Sequence, residues 1–202
     1  MILNRRVLLG AVCAATVVLA TPAAMAQATG ADEFIRRSGQ RAIDSLTVQS
    51  IGDAERGKRF REILRGSFDV PEIGRFVLGR YWRTATDQEK TEYLRLFEDF
   101  IVRAYANRFA DYSGETFRVL QVVDSTDNDK LVSTEIVQPS GKPPVRVVWR
   151  VRGQAGAFKV VDVTVEGISM SVTQRDEFAA VIRSNGGTVA GLLDALRKKT
   201  GN

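Results

Sequence analysis

Histidine is absent from the 202-residue sequence, and its single cysteine, Cys13, lies in an apolar segment near the N-terminus. These absences exclude a Cys–His dyad, a Ser–His–Asp triad and a histidine-ligated metal site. They also exclude an intramolecular disulfide, so packing has to stabilise the fold. Carboxylate pairs are the remaining route to acid–base catalysis.

The acidic residues that lie close together in the sequence form poor catalytic or metal sites. Glu98 and Asp99 are adjacent in a predicted helix, where neighbouring positions do not face each other. The segment 124–129, DSTDND, resembles part of a calcium loop but lacks its glycine and its distal glutamate. Because it lies between two predicted strands, we interpret it as a hairpin turn. No glycine-rich phosphate loop follows a predicted strand.

The N-terminal segment has the pattern of an export signal. Arg5 and Arg6 precede an apolar run over residues 7–20, and Ala24-Met25-Ala26 has the form of a signal peptidase site. The run is short for a membrane span of about 20 residues, which disfavours an anchor. We expect cleavage after this site and export by the Sec route, with twin-arginine export as the alternative.

The charge balance gives no indication of nucleic-acid binding. The sequence has 29 basic and 24 acidic residues, and removal of the two signal arginines would lower the net charge from +5 to +3. This excess is too small to predict a nucleic-acid partner. Residues 27–202 are enough for one domain with a sizeable core, and no linker or repeat divides them.

Helical periodicity dominates the first half of this domain. Thr86-Asp87-Gln88-Glu89 is a capping box, and it opens the clearest helix, which continues to Phe109 with a wide aromatic stripe. Shorter patterns predict helices over 32–48, around Phe60 to Phe68, over 73–82, over 174–184 and over 188–199.

The period changes to two after residue 115. Strands are predicted over 116–123, 130–138, 145–152 and 157–165, and the short turns between them indicate an antiparallel meander. We therefore predict an α+β fold, in which helices pack on one face of a curved four-stranded antiparallel meander and enclose an apolar cavity.

An apolar row follows the last strand. Val163 and Val165 alternate with polar residues, Gly167 shifts the register by one, and apolar residues recur at 168, 170 and 172. We interpret the row as one extended wall that bends at the glycine. An apolar wall with no catalytic set beside it is typical of a binding cavity.

Three segments resemble the MlaC family of periplasmic phospholipid-binding proteins, also called toluene-tolerance or ABC-transporter auxiliary proteins. The segment 77–115, VLGRYWRTATDQEKTEYLRLFEDFIVRAYANRFADYSGE, resembles the most characteristic region of that family. The segments 68–82, FDVPEIGRFVLGRYW, and 165–178, VEGISMSVTQRDEF, are similar to two further signatures. The matches occur in the family's order and cover nearly the whole domain.

The resemblance implies an NTF2-like α+β fold with a cavity for phospholipid acyl chains. It implies no enzymatic activity, no cofactor and no metal. It also implies a periplasmic shuttle that maintains outer-membrane lipid asymmetry, with two partners: an inner-membrane MCE-type ABC transporter complex and an outer-membrane lipoprotein and porin complex. A related branch of the family occurs with hopanoid genes, so the lipid could differ.

The expected lipid contacts are apolar residues on the helices and strands that would face the cavity. They are Phe76, Val77, Tyr81, Trp82, Leu94, Phe97, Ile101, Ala104, Tyr105, Val147, Trp149, Val163, Val165, Ile168, Met170 and Val172. Three arginines are expected to contact the lipid headgroup or a partner, namely Arg80, Arg83 and Arg175. The alternatives for these arginines are exposure to solvent or pairing with Glu72 or Asp176.

Two other functions stay open at the level of sequence. An NTF2-like enzyme would need an ionisable side chain in the pocket, for which the candidates are Asp162, Glu166 and Tyr105. A structural adaptor would have a filled core and no ligand.

Overall fold

The computed structural model describes residues 30–126, 128–153 and 157–201. The predicted signal peptide, residues 1–26, lies outside the described residues. The α-helices of the described chain are α1 (Ala31–Leu46), α2 (Asp53–Ser67), α3 (Val70–Leu78), α4 (Asp87–Tyr105), α5 (Met170–Ser184) and α6 (Val189–Thr200). The strands are β1 (Thr116–Asp124), β2 (Asp129–Val137), β3 (Val145–Arg152), β4 (Lys159–Val165) and β5 (Ile168–Ser169).

Local sequence explains where α3 begins and ends and where α4 begins. The Thr86 hydroxyl accepts a hydrogen bond from the Glu89 amide (3.2 Å), and the Glu89 carboxylate accepts one from the Thr86 amide (2.8 Å), so the predicted capping box is confirmed. Asp69 caps α3 in a similar way. The helix predicted over 73–82 stops earlier, at Leu78, because Gly79 has φ +58° and ψ −130°. A 3₁₀ segment continues over Gly79–Arg83.

The sheet is an antiparallel meander in the order β1-β2-β3-β4-β5. Val132, Trp149 and Val163 lie opposite one another on three neighbouring strands and share its inner face. On the other face of β3, Arg146 and Arg150 are exposed. The predicted α+β class and the four-stranded meander are confirmed, and the short strand β5 is an addition to them.

Two hydrophobic clusters form the interior. The sheet cluster joins Ala31 and Ile35 of α1 to Val132, Val151 and Val160 on the inner face of the sheet. The helix cluster is built from α2 to α6 and their connections; its fully buried members include Tyr93, Leu96, Phe97, Ile182 and Leu192. Helices therefore cover one face of the sheet in a layered arrangement.

Phe68, which follows α2, packs against both clusters. Its neighbour Asp69 donates a backbone hydrogen bond to the Val160 carbonyl (3.0 Å), which fixes the junction between α2 and α3 to β4. The two layers thus meet along a boundary at which this aromatic side chain lies.

The prediction of an extended apolar row through residues 168–172 is wrong beyond Ser169. Glu166 and Gly167 have φ values of 48° and 83°, so they form a tight turn that pairs Val165 with Ile168. Helix α5 then begins at Met170, and the Ser169 hydroxyl accepts a hydrogen bond from the Val172 amide (3.2 Å). Because Ser169 caps a helix here, Met170 and Val172 are helical rather than part of a wall of the sheet.

Asp162 provides the other support for this helix start. Its carboxylate accepts hydrogen bonds from the Ser169 hydroxyl (2.7 Å), the Ser171 hydroxyl (2.6 Å) and the Ser171 amide (3.2 Å). A carboxylate at a helix N-terminus satisfies amides that lack an intrahelical partner. The strand β4 is therefore tied directly to the first turn of α5.

The acidic segment 124–129 is a hairpin connection, as predicted. Asp124 forms an ion pair with Lys130 across the β1–β2 pair, and the buried Asp129 receives hydrogen bonds from Arg152 Nε (2.7 Å) and Nη2 (3.1 Å). The Arg152 hydrogen bonds hold the pKa of Asp129 below its usual range, against the opposing effect of burial. Asp127 lies outside the described residues, and the described chain contains no acidic cluster suited to a metal ion.

We expect Asp129→Asn to lower the free energy of unfolding by about 1–3 kcal/mol at pH 7, because Arg152 loses its charged partner. A carboxylate with a lowered pKa stabilises the fold above its unfolded pKa of about 4 and stops doing so as the pH falls through its folded pKa. The difference between wild type and variant should therefore narrow below pH 4. Urea unfolding of both proteins at pH 7 and pH 3 measures this difference in the free energy of unfolding.

Asp124→Asn is the matched control, since its ion pair with Lys130 is exposed and should contribute less than about 1 kcal/mol. An equal loss of stability for Asp129→Asn at both pH values would contradict the assigned role of its charge.

Candidate functional site

Trp149 lies at the centre of the inner face of the sheet. Its indole Nε1 donates a hydrogen bond to the Thr134 hydroxyl (2.9 Å), and that hydroxyl donates to the Val147 carbonyl (3.1 Å). The ring centroids of Phe68 and Phe117 lie 6.4 and 6.3 Å from the Trp149 ring, both in edge-on arrangements. Because its N–H group is satisfied within the sheet, Trp149 presents an apolar aromatic surface to its neighbours.

The sheet brings four of the predicted contacts together. Val163 lies opposite Trp149 and Val165 lies opposite Val147, all on the inner face. Val147 is buried, whereas the other three are partly buried. We call these four residues the sheet wall.

Six predicted contacts on the helices lie in or against the helix cluster. They are Val77, Tyr81, Trp82, Leu94, Phe97 and Ile101. Phe97 is 2% exposed, stacks on Tyr93 at 5.8 Å between centroids and meets the edge of Phe178 at 6.2 Å. This group is the interior of the helical layer, so the predicted contacts divide into two sets on either side of the boundary at Phe68.

The remaining apolar candidates are more exposed. Ala104 is exposed on α4, and Tyr105 is partly buried with the Arg108 guanidinium 5.1 Å from its ring centroid, so neither adds to the sheet wall. Phe76, Ile168 and Val172 are 41%, 62% and 46% exposed, respectively, and Met170 is partly buried. The exposed three lie on α3, β5 and α5, and α5 packs against both of the other elements.

The three candidate arginines differ in their surroundings. Arg80 donates to the hydroxyl of Tyr81 (3.0 Å), Arg83 is exposed, and the Arg175 guanidinium lies 5.1 Å from the ring centroid of Phe76. Within the described chain, none of the three forms an ion pair with a carboxylate. Glu72, one suggested partner, contacts Arg152 instead (3.5 Å).

Two open surface grooves have charged linings and lie away from the sheet wall. One, of about 330 Å³, lies between α1 and α2 and is lined by Arg41, Ser45, Arg59, Glu62 and Ile63. The other, of about 630 Å³, is lined by Asp87, Gln88, Thr91, Glu92 and Arg95 at the start of α4. Neither has the apolar lining predicted for the binding site.

The three candidates for enzymatic chemistry have structural contacts. Asp162 is engaged by Ser169 and Ser171, and Glu166 accepts a hydrogen bond from the Arg146 amide on a turn. Tyr105 stacks with Arg108. The fully buried Tyr93 donates its hydroxyl to the Gly74 carbonyl (3.0 Å), and burial raises its pKa, so its phenol stays protonated at neutral pH.

Sequence reasoning missed three residues at the centre of the site. Phe68 and Phe117 flank Trp149, and Thr134 satisfies its indole. Phe117 and Thr134 occupy predicted strands, so pairing the meander in register would have placed Thr134 opposite Val147 and Phe117 on the same face. Phe68 precedes the cap Asp69, and nothing in the sequence separates it from an ordinary core residue.

Within the part of the chain that the structure describes, no helix is both long and apolar enough to cross a bilayer.

Comparison with known proteins finds a curated relative, a solved structure with a similar fold and a matching family model. The intermembrane phospholipid transport system binding protein MlaC of Haemophilus influenzae is 23% identical over 116 residues, which is 56% of this chain and 54% of that protein. The chain thus spans about half the length of this curated relative.

A solved structure has the same fold. It is the phospholipid-binding protein of Ralstonia solanacearum in complex with a phospholipid, which superposes with a TM-score of 0.75 at 20% identity and covers 85% of this chain and 97% of its own. A family model described as MlaC protein matches residues 37–198. That match includes α2 to α5, the whole sheet and most of α1 and α6, and it shows that the chain belongs to the MlaC protein family.

Proposed function

We propose that this protein binds a phospholipid by its acyl chains and carries it through the periplasm between the outer and inner membranes. The observation that carries the proposal is the boundary between two separate apolar clusters, at which Phe68 packs against both clusters and against Trp149 of the sheet wall. The fold of the Ralstonia protein, which is described in complex with a phospholipid, supports it.

Acyl chains need an apolar site because their exposure to water is unfavourable in free energy. Each methylene left in water costs about 0.8 kcal/mol, so two long chains cost more than about 20 kcal/mol. An apolar interior makes transfer from a bilayer nearly neutral in free energy. No bond is made or broken, and the absence of histidine and of a reactive cysteine from residues 27–202 is compatible with such a role.

Phe68 packs against both clusters, so acyl chains that enter between them have to displace its side chain. Separation along the boundary would expose Phe68, Trp149 and Val163, which are already only partly buried. Acyl chains inserted there would replace the lost side-chain contacts with equivalent apolar contacts, so the apolar area that returns to water is small. The sheet forms one side of this boundary. Its strands are bent by bulges between Val119 and Gln121 in β1 and, where β3 pairs with β4, between Arg150 and Val151.

We assign the direction of lipid transport to two partners. They are an inner-membrane MCE-type ABC transporter complex and an outer-membrane lipoprotein and porin complex. The name of the Haemophilus relative, an intermembrane phospholipid transport system binding protein, supports this role. The chain has no nucleotide-binding loop, so energy for transport has to come from a partner. The export signal predicted in residues 1–26 supports a periplasmic location.

The mature protein, purified gently from a bacterial host, is expected to carry about one diacyl phospholipid per chain. Solvent extraction followed by lipid mass spectrometry measures the stoichiometry. Recovery of a hopanoid in place of a phospholipid would change the proposed lipid class. Purified protein without any stoichiometric lipid would refute the carrier role.

Val163→Trp and Val165→Trp are expected to lower the lipid content several-fold, because a tryptophan on the sheet wall fills the space that acyl chains would occupy. Overpacking costs about 1–3 kcal/mol where no space opens, so thermal unfolding has to confirm that the variants fold. Lipid per folded protein is the measured quantity.

Thr164→Trp is the matched control, since Thr164 lies on the opposite face of β4, between the two wall residues. Ala104→Trp on the exposed face of α4 is a second control. Equal lipid content in all four folded variants would place the acyl chains away from the sheet wall.

A further inference from the structure

Arg175 is held in a defined position at the surface, on the second turn of α5. Its guanidinium carbon lies 5.1 Å from the ring centroid of Phe76 on α3. Its Nε atom lies so close to the backbone after α3 that a Cβ added at Gly79 would be 2.9 Å away. The side chain therefore occupies a notch that exists because residue 79 is a glycine and because the exposed ring of Phe76 covers one side.

This cation has no charged partner in the described chain. Arg61, Arg152 and Arg197 each contact a carboxylate at 2.7 Å, whereas no carboxylate oxygen of a described residue lies within 4.0 Å of Arg175. No hydrogen bond to a described residue uses its guanidinium either. A guanidinium has five N–H donors in a plane, and stacking on an aromatic ring leaves those in-plane donors available.

Exposed apolar side chains lie on the elements next to this position. Phe76, Ile168 and Val172 are the exposed large apolar residues of α3, β5 and α5; α5 packs against both α3 and β5, and all three elements contact β4. Helix α5 is fixed to β4 through Asp162, so the position of Arg175 relative to the sheet wall is fixed as well. A positioned cation beside an apolar rim matches an amphiphile with an anion next to its chains.

We propose that Arg175 binds the phosphate group of a lipid headgroup, so that the protein selects phosphate-bearing diacyl lipids over uncharged ones. The inference rests on the proposed function and adds the residue that recognises the headgroup phosphate. A guanidinium binds phosphate oxygens through two parallel hydrogen bonds, and both are strengthened by charge. Phe76 holds the side chain at the rim beforehand, which reduces the conformational entropy lost on binding.

The test offers the mature protein vesicles that contain phosphatidylglycerol and diacylglycerol with identical acyl chains, and mass spectrometry measures how much of each lipid it extracts. We expect the wild type to prefer phosphatidylglycerol and Arg175→Gln to lose about tenfold of that preference, with extraction of diacylglycerol unchanged. Arg175→Lys should retain part of the preference, because it keeps the charge but not the planar fork.

Arg183→Gln is the matched control, since Arg183 is an exposed arginine of the same helix that also has no ion pair among the described residues. It should extract both lipids as the wild type does. An equal fall in both lipids for Arg175→Gln would show that Arg175 only supports packing of α3 on α5, and an unchanged preference would show that it does not contact phosphate.

The wild type alone provides a test that does not depend on the folding of a variant. Its preference for phosphatidylglycerol should decrease when the ionic strength is raised to about 1 M, because the phosphate contact lies at an exposed rim. A preference that is independent of salt would overturn the inference while leaving the carrier role intact. Failure of the wild type to extract either lipid would refute the carrier role itself.

Discussion

The carboxylate of Asp162 is the contact on which the relation between the two layers depends. It belongs to β4, and it receives hydrogen bonds from Ser169 and Ser171 at the start of α5. Because these bonds are directional, they fix where the helix leaves the sheet and which of its faces turns inward. Phe178 on that helix then meets Tyr93, Phe97 and Phe100 in the helix cluster.

With α5 fixed in this way, the interior is divided rather than continuous. The sheet cluster depends on α1, and the helix cluster depends on the packing of α3 to α6, with Phe68 in contact with both. A single tightly interlocked core would resist opening, because any separation would expose apolar surface in many places. A division between two clusters would confine the opening that the proposed function requires to one boundary.

The charged residues support this arrangement from outside. Arg61 joins α2 to Glu98 and Asp99 on α4, Arg197 joins α6 to Glu92, and Arg152 joins β3 to Asp129. These pairs link elements within one layer, whereas the contact of Arg152 with Glu72 on α3 (3.5 Å) joins the sheet to the helices. Arg175 differs from these arginines because its contacts are an aromatic ring and a glycine backbone, and its charge stays available to a ligand.

Local sequence determined the features that depend on neighbouring residues. The capping box at Thr86 fixed the start of α4, and the alternation in β3 separated Val147 and Trp149 from Arg146 and Arg150. Composition excluded histidine and cysteine chemistry, and the order of periodicities gave the α+β class. These features were predictable because each follows from hydrogen bonds and burial within a single element or between consecutive ones.

Only the tertiary structure decided the features that depend on distant residues. The alternation of apolar residues at 168–172 is compatible with a strand and with a helix start. The carboxylate of Asp162 stabilises the helix start, because it accepts hydrogen bonds from the first turn of α5. Phe76 and Val77 are adjacent and equally apolar, yet one is 41% exposed and the other 1%, because packing on α4 and α5 selects the face of α3 that is buried. Sequence spacing cannot supply that choice, since it depends on which elements meet in space.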